Sequence, residues 1–283
     1  MNQQSSNINN SELFKQPSIY EKIVNPKTIL KIVSVIAIFL IWFLVTKFGI
    51  YRFYLIPEPQ HVLVRAFNWI QTDTFWIDTY RTLLRVFGGF FAACLIAIPL
   101  GLMIGWNKIF SDFTYPALEV LRPIPGIAYI PLAILIFPWS ELSIAFICFI
   151  GAFFPILLNS ITGVTLIDRD YFRAAKCLGS NNWQIFWNIV VPGSLPFVTT
   201  GAALGMGISW MACVPAEMIE GSWGLGYRIW ESYTLMRFEL IIVGMIAIGF
   251  FGLTSSVLIR FVTMKIIPWR KSATESLDEE VTQ

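Results

Sequence analysis

The feature that most limits how this chain can fold is a series of long segments free of charged residues. No charge occurs between Arg85 and Lys108, between Arg122 and Glu141, from Leu142 to Ile167, from Cys177 to Ala216, or from Leu240 to Ile259. A further apolar run, from Ile32 to about Ile50, is interrupted only by Lys47 near its end, whose stem can snorkel. A helix needs roughly 20 mostly apolar residues to cross a hydrocarbon core of about 30 Å. In lipid every backbone polar group must be bonded internally, and a helix does this within one segment. The sequence therefore predicts an all-α integral membrane protein with six spans.

Composition agrees. Of 283 residues, 56% are hydrophobic and 13% charged, against roughly 25% charged in soluble domains. A net charge of +2, with no basic run interleaved with aromatics, gives no reason to expect a nucleic-acid partner. Cys94, Cys148, Cys177 and Cys213 are far apart and form no CxxC pair, so they read as small hydrophobes rather than as metal ligands or a disulfide. The single histidine, His61, has no Cys or His neighbour with which to share a metal. The first 31 residues are polar and no small-residue cleavage pattern follows the first apolar run, so the first helix is expected to remain as an anchor.

Basic residues in short loops give the expected direction. A cytoplasmic N-terminus places Lys15, Lys22, Lys27 and Lys31 inside, followed by Lys108 and Arg122, by Arg169, Arg173 and Lys176, and by Arg260, Lys265, Arg270 and Lys271. Outside fall Pro138–Glu141, which has no base, and the acid-rich region from Glu217 to Glu239. One loop dissents, because 51–85 carries Arg52, Arg65, Arg81 and Arg85; an outer basic rim would suit an anionic cargo. The expected organisation is a cytoplasmic tail (1–30), span one (31–50), an extracytoplasmic amphipathic segment (51–80), a five-helix core (81–265) and a cytoplasmic tail (266–283). Within 51–80, Val62, Leu63, Ala66, Phe67 and Ile70 have helical spacing.

The loop between spans four and five, 168–192, carries the functional signal. Asp168–Gly179 (DRDYFRAAKCLG) suits a short helix. Acids at its start and Lys176 near its end complement the dipole, and Gly179 is a natural stop. Pro192 can mark the restart of a helix entering the membrane. Such a helix is a mechanical handle, and the small Ala174 and Ala175 let it seat in a partner's groove.

This loop resembles the signature of membrane subunits in binding-protein-dependent ABC importers. That signature is Glu-Ala-Ala, three residues, Gly, nine residues, then Ile-x-Leu-Pro. Here it reads Arg173, Ala174, Ala175, Gly179, Ile189, Val191 and Pro192 with every spacing kept; Arg173 replaces Glu and Val191 replaces Leu. Thr82–Phe90 (TLLRVFGGF), Leu121–Pro125 (LRPIP), Ile130–Phe137 (IPLAILIF), Phe153–Asn159 (FFPILLN), Ala216–Ile219 (AEMI) and Gly224–Tyr227 (GLGY) are similar to the nitrate, sulfonate (taurine) and bicarbonate branch of these permeases. The resemblance implies a type I importer fold, with 168–192 as the coupling loop. It further implies a second permease subunit in a homodimer and two cytoplasmic ATPase subunits that bind ATP and Mg. A substrate-binding protein or domain would lie outside a bacterial inner membrane. The sequence has no GxxxxGK[ST], so the chain itself is expected to be non-catalytic and to bind no cofactor.

Pathway candidates are Thr82 and Arg85 at the outer mouth of span two, Asn159 and Ser160 in span four, Ser209 in span five and Glu217 at its outer end. Asn159, Ser160 and Ser209 suit interhelical hydrogen bonds better than a pathway role, whereas Arg85 equally suits an interfacial anchor. Gly101-x3-Gly105 and Gly201-x3-Gly205 permit close helix approach, more readily within one subunit than between two. Pro99, Pro125, Pro131 and Pro155 interrupt spans two to four. The spans as read hold no mid-membrane acid or histidine, which disfavours the alternative of an ion-gradient carrier or channel. A nucleophile–base pair for an intramembrane enzyme is also missing.

Overall fold

The computed structural model describes residues 26–48 and 56–266, and all regular structure among them is helical. The chain divides into two units, Met1–His61 and Val62–Gln283. In the first, helix α1 (Pro26–Lys47) has 22 residues, about 33 Å at 1.5 Å per residue. It starts six residues before Ile32, and Ile50, the expected end of span one, lies outside the described residues, as do both tails and 51–55. The Lys47 ammonium sits over the Phe43 ring, 5.4 Å from its centre.

The amphipathic segment forms α2 (Pro59–Ile70), which stops before Tyr80. The next helix, α3 (Asp73–Trp106), has 34 residues and starts well before Arg85. Charges do not end it early, because those in its first turns find partners described below. After α3 come α4 (Lys108–Leu121), a 3-10 turn (Gly126–Tyr129), α5 (Ile130–Ile136) and α6 (Ser140–Thr165). The loop helix α7 (Arg169–Cys177) follows. Helix α8 (Asn182–Glu220) contains a π-helical turn, Phe186–Val190. The chain continues with α9 (Leu225–Thr234) and α10 (Phe238–Ile266). Four of these helices, α3, α6, α8 and α10, are long and apolar enough to cross a membrane, and α4 with the 126–136 segment makes a fifth if that pair is one crossing. Span one, expected over 31–50, overlaps α1, which is not among these four or five.

Glycines set the arrangement around α6. A β-carbon on Gly89 would stand 2.4 Å from the Ala145 carbonyl oxygen, one on Gly101 2.6 Å from the Ser160 β-carbon, and one on Gly105 2.7 Å from that of Val164. Moving along α3 from Gly89 to Gly105, the facing residue on α6 advances in the same direction, from Ala145 to Val164, so these helices run parallel in near-backbone contact. On α8, Gly201 approaches the Asn159 β-carbon and Gly205 faces Ala152 and Ile156. That pairing runs in reverse, so α8 is antiparallel to α6. Both small-residue pairs therefore pack within the chain, against the same helix.

Parallel α3 and α6 require the chain between Trp106 and Ser140 to return to its starting end. Span three, read as one helix over 123–140, is instead a bent unit. Helix α4 and the 126–136 segment meet at 89°, because Pro123 and Pro125 lack N–H donors and their rings clash with preceding carbonyls. The bend lies mid-bundle: a β-carbon on Gly126 would be 3.9 Å from that of Ala212, which also faces Gly151 in the middle of α6. Arg122, expected beyond the end of span three, is at this bend.

The position of Pro192 is also corrected. The helix restarts ten residues earlier, at Asn182, where Asn181 and Gln184 form a reciprocal capping box, with the Gln184 N–H donating to Asn181 Oδ1 at 2.8 Å. Pro192 lies inside the continuous rod, and the π turn ahead of it absorbs its missing donor.

Close packing gives a test. Gly201→Val should destabilise the bundle by about 1–3 kcal/mol through overpacking. Gly207→Val, at a position with open space around it, should leave the apparent Tm in detergent nearly unchanged.

Candidate functional site

Two places collect the sequence-predicted residues, at opposite ends of α6. At the end holding Glu141 and Glu217, α3 presents Asp78, Thr82 and Arg85 at i, i+4 and i+7, one face of a helix. Asp78, Thr82 and Glu217 are fully buried and Arg85 is 2% exposed. Arg85 donates through Nε and its second terminal nitrogen to Glu141, at 2.6 and 2.9 Å. Its other terminal nitrogen donates to Glu217 Oε1 at 2.7 Å and to the Trp223 carbonyl at 2.8 Å. Glu217 also accepts from Thr82 Oγ1 at 2.9 Å and from the Gly226 N–H at 2.8 Å. The start of α9 is held by the same residues, since Gly224 N–H donates to Asp78 and Leu225 N–H to Thr82, both at 2.9 Å. Asp78 further accepts from Arg228 Nε at 2.8 Å.

Sequence closes this cluster sterically as well. Gly224 adopts φ +126°, and a β-carbon there would lie 2.5 Å from Glu217 Oε1, so only glycine lets the backbone reach the carboxylate. Arg228, on α9, is driven in two directions. Burial opposes its charge, but the hydrogen bonds and charges of Asp78 and Glu231 together outweigh burial and hold the guanidinium above its ordinary value.

Arg85 is thus neither an outward anchor nor an open anion receptor; its donors are committed to Glu141, Glu217 and a carbonyl. Arg81, 2.6 Å from Glu141, is likewise paired. Thr82 and Glu217 are brought together with Arg85. Sequence reasoning left out Asp78, Glu141, Gly226 and Arg228. The 78/82/85 spacing was the available signal for Asp78, whereas the Glu141 and Arg228 contacts cross 56 and 150 positions. Ser209, buried in α8, has no hydrogen-bond partner for its hydroxyl among the described residues. Asn159 and Ser160 lie far from the cluster and bond carbonyls of their own helix, at Pro155 (2.8 Å) and Ile156 (2.7 Å), rather than bridging helices.

At the opposite end, α7 is fixed at both termini. Asp168 accepts from the Asp170 N–H at 3.0 Å. Gly179, at φ +81°, closes a Schellman motif, with its N–H on Lys176 O and the Ser180 N–H on Ala175 O, both at 3.0 Å. Phe172 packs 5.7 Å from the Trp106 ring at the end of α3, and Trp106 packs on Phe186 of α8. The two alanines differ from the expected matched pair: Ala174 is exposed, whereas Ala175 turns into the chain. Arg173 is exposed and, among the described residues, pairs only with Asp170 at 3.1 Å, a contact worth little in water. Ile189 and Pro192 line an open groove with Ile167, Tyr171 and Gly193.

With both sites described, comparison with known proteins is decisive. Residues 97–271 match the family described as the binding-protein-dependent transport system inner membrane component. The chain belongs to this family. It is 40% identical over 213 residues to a protein of Methanocaldococcus jannaschii assigned as an ABC transporter permease, covering 75% of this chain and 80% of that one. It is 32% identical over 255 residues to the nitrate import permease protein of Synechocystis, covering 87% and 92%. The taurine transport system permease protein of Escherichia coli is 27% identical over 234 residues, covering 81% and 85%. Subunits of this permease family are non-catalytic, and ATP hydrolysis is the work of partner subunits.

The buried cluster of this permease gives a test. Arg85→Met should cost about 3–5 kcal/mol by leaving Glu217 as an uncompensated buried charge. Arg81→Met, which removes a half-exposed partner of Glu141, should cost about 1 kcal/mol or less. Thermal unfolding in detergent separates the two.

Proposed function

We propose that this chain is the membrane subunit of an ATP-driven importer of a small anion, with α7 as the helix through which the ATPase moves the bundle. The observation that carries the coupling reading is the construction of α7. Capped at both ends and wedged by Phe172 against Trp106 of α3, it passes a displacement to the ends of α3 and α8 rather than bending. The outward surface of the loop offers Tyr171, Ala174 and Leu178, and the start of α8 adds Trp183 and Trp187, to a partner.

In this reading α1 supplies the sixth span. The end bearing Arg169, Arg173, Lys176 and Arg260 faces the cytoplasm, in accord with the positive-inside rule, which puts both termini there. The dissenting outer loop is eased, since Arg81 and Arg85 are neutralised by Glu141 and Glu217. Two copies would surround the pathway, two ATPase subunits binding ATP and Mg would dock on the two α7 helices, and an external binding protein would deliver the anion in a bacterial inner membrane. Nitrate, taurine and bicarbonate are the cargo classes named by the relatives. Outer basic attraction rests on Arg65 and Arg237 in place of the committed Arg81 and Arg85.

Ala174→Trp should weaken ATPase co-purification by about tenfold, roughly 1.4 kcal/mol of docking energy, with uptake falling alongside. Gly179→Val, which forces a branched residue to positive φ, should act in the same direction. Unchanged assembly and uptake in both variants would contradict this role for α7.

A further inference from the structure

Glu119 and Arg122 are charged residues at a depth where the described bundle is otherwise uncharged. Both line a groove with Phe154, Leu157, Leu158 and Ile161 of α6. Those α6 residues lie 14 to 21 positions from Ser140 and 11 to 4 from Thr165, so the groove runs from about 16 Å to about 6 Å from the Thr165 end of the helix. Its Phe154 end is at the middle of a crossing, the level of the bend that follows Arg122. Both residues are exposed on this chain, and neither side chain has a hydrogen bond or ion pair among the described residues. Non-helical backbone at Arg122–Pro125 accompanies them.

Two physical constraints converge here. A guanidinium at mid-membrane is too costly to face lipid and turns to a protein interior or a water-filled cavity. Broken backbone at membrane depth is tolerated only in those same settings. Tyr115 is the other polar group lining the groove with Glu119 and Arg122, and no carboxylate among the described residues pairs with the guanidinium.

We propose that Arg122 lines the translocation path and is the group that contacts the passing oxyanion at mid-membrane, an inference that rests on the permease reading above. Its planar fork of donors matches the oxygens of nitrate, bicarbonate or a sulfonate. Glu119, one turn earlier, offsets that charge, so the anion is held weakly enough to leave.

The test uses the whole transporter, this chain with its ATPase and binding protein, in proteoliposomes with labelled nitrate, bicarbonate or taurine outside. Arg122→Ala should lower uptake about 10- to 100-fold while still co-purifying with the ATPase, and Arg122→Lys should recover part of it. The double variant Glu119→Ala with Arg122→Ala should stay defective. Wild-type uptake in Arg122→Ala would overturn the proposal; so would recovery in the double variant, which would make Arg122 merely the neutraliser of Glu119. A second readout does not need transport. Arg122→Cys with Cys177→Ser should react with an anionic methanethiosulfonate and be protected by the transported anion; absent labelling or absent protection overturns the assignment. Failure of the wild-type chain to associate with any ATPase would instead refute the permease reading and leave the labelling result standing.

Discussion

A carboxylate buried among apolar helices must be matched by donors, and Glu217 organises one end of this bundle by that requirement. Its oxygens take Thr82 and Arg85 from α3 and the Gly226 N–H from α9, while Arg85 reaches on to Glu141 of α6. Four helices are thereby tied at one level. An uncompensated charge there would cost several kcal/mol, so the groups hold one another in place. The same requirement explains why Gly224 stands where a β-carbon would strike the carboxylate.

The remainder of the bundle is joined by proximity rather than charge. Glycines on α3 and α8 bring two backbones against α6 from different sides, which in lipid is the main source of helix association. Helices packed this closely shift as rods, since the packed interior resists gradual deformation. A stiff bundle tied by ion pairs at one end and carrying a doubly capped loop helix at the other is suited to being moved from outside itself. The bend at Arg122–Pro125 is the exception, and it occurs where the chain departs from continuous helix at mid-depth.

Much of this was legible from residue order. Uncharged stretches located α6, α8 and the start of α10 to within a few residues, since nothing in them competes with a lipid-buried helix, although α10 runs on past Ile259 to Ile266. Asp168 and Gly179 marked the ends of α7 because capping is local chemistry. Failures arose where long-range partners decided the outcome. Arg85 read as an edge of span two because its charge was counted without Glu141 and Glu217, whereas pairing lets α3 begin at Asp73. Span three read as 123–140 because proline breaks were treated as kinks in one rod, and Arg122 was consequently placed outside. Pro192 read as a helix start because the π turn that accommodates it leaves no pattern in composition.

The central claim is that motion of this bundle is driven by another chain's ATP hydrolysis. Uptake of labelled nitrate, taurine or bicarbonate into proteoliposomes holding this chain with its ATPase and binding protein, with and without enclosed ATP, measures it most directly. The account predicts accumulation only with hydrolysable ATP, and none with a non-hydrolysable analogue. Accumulation by this chain alone, driven by an ion gradient without ATP, would contradict it.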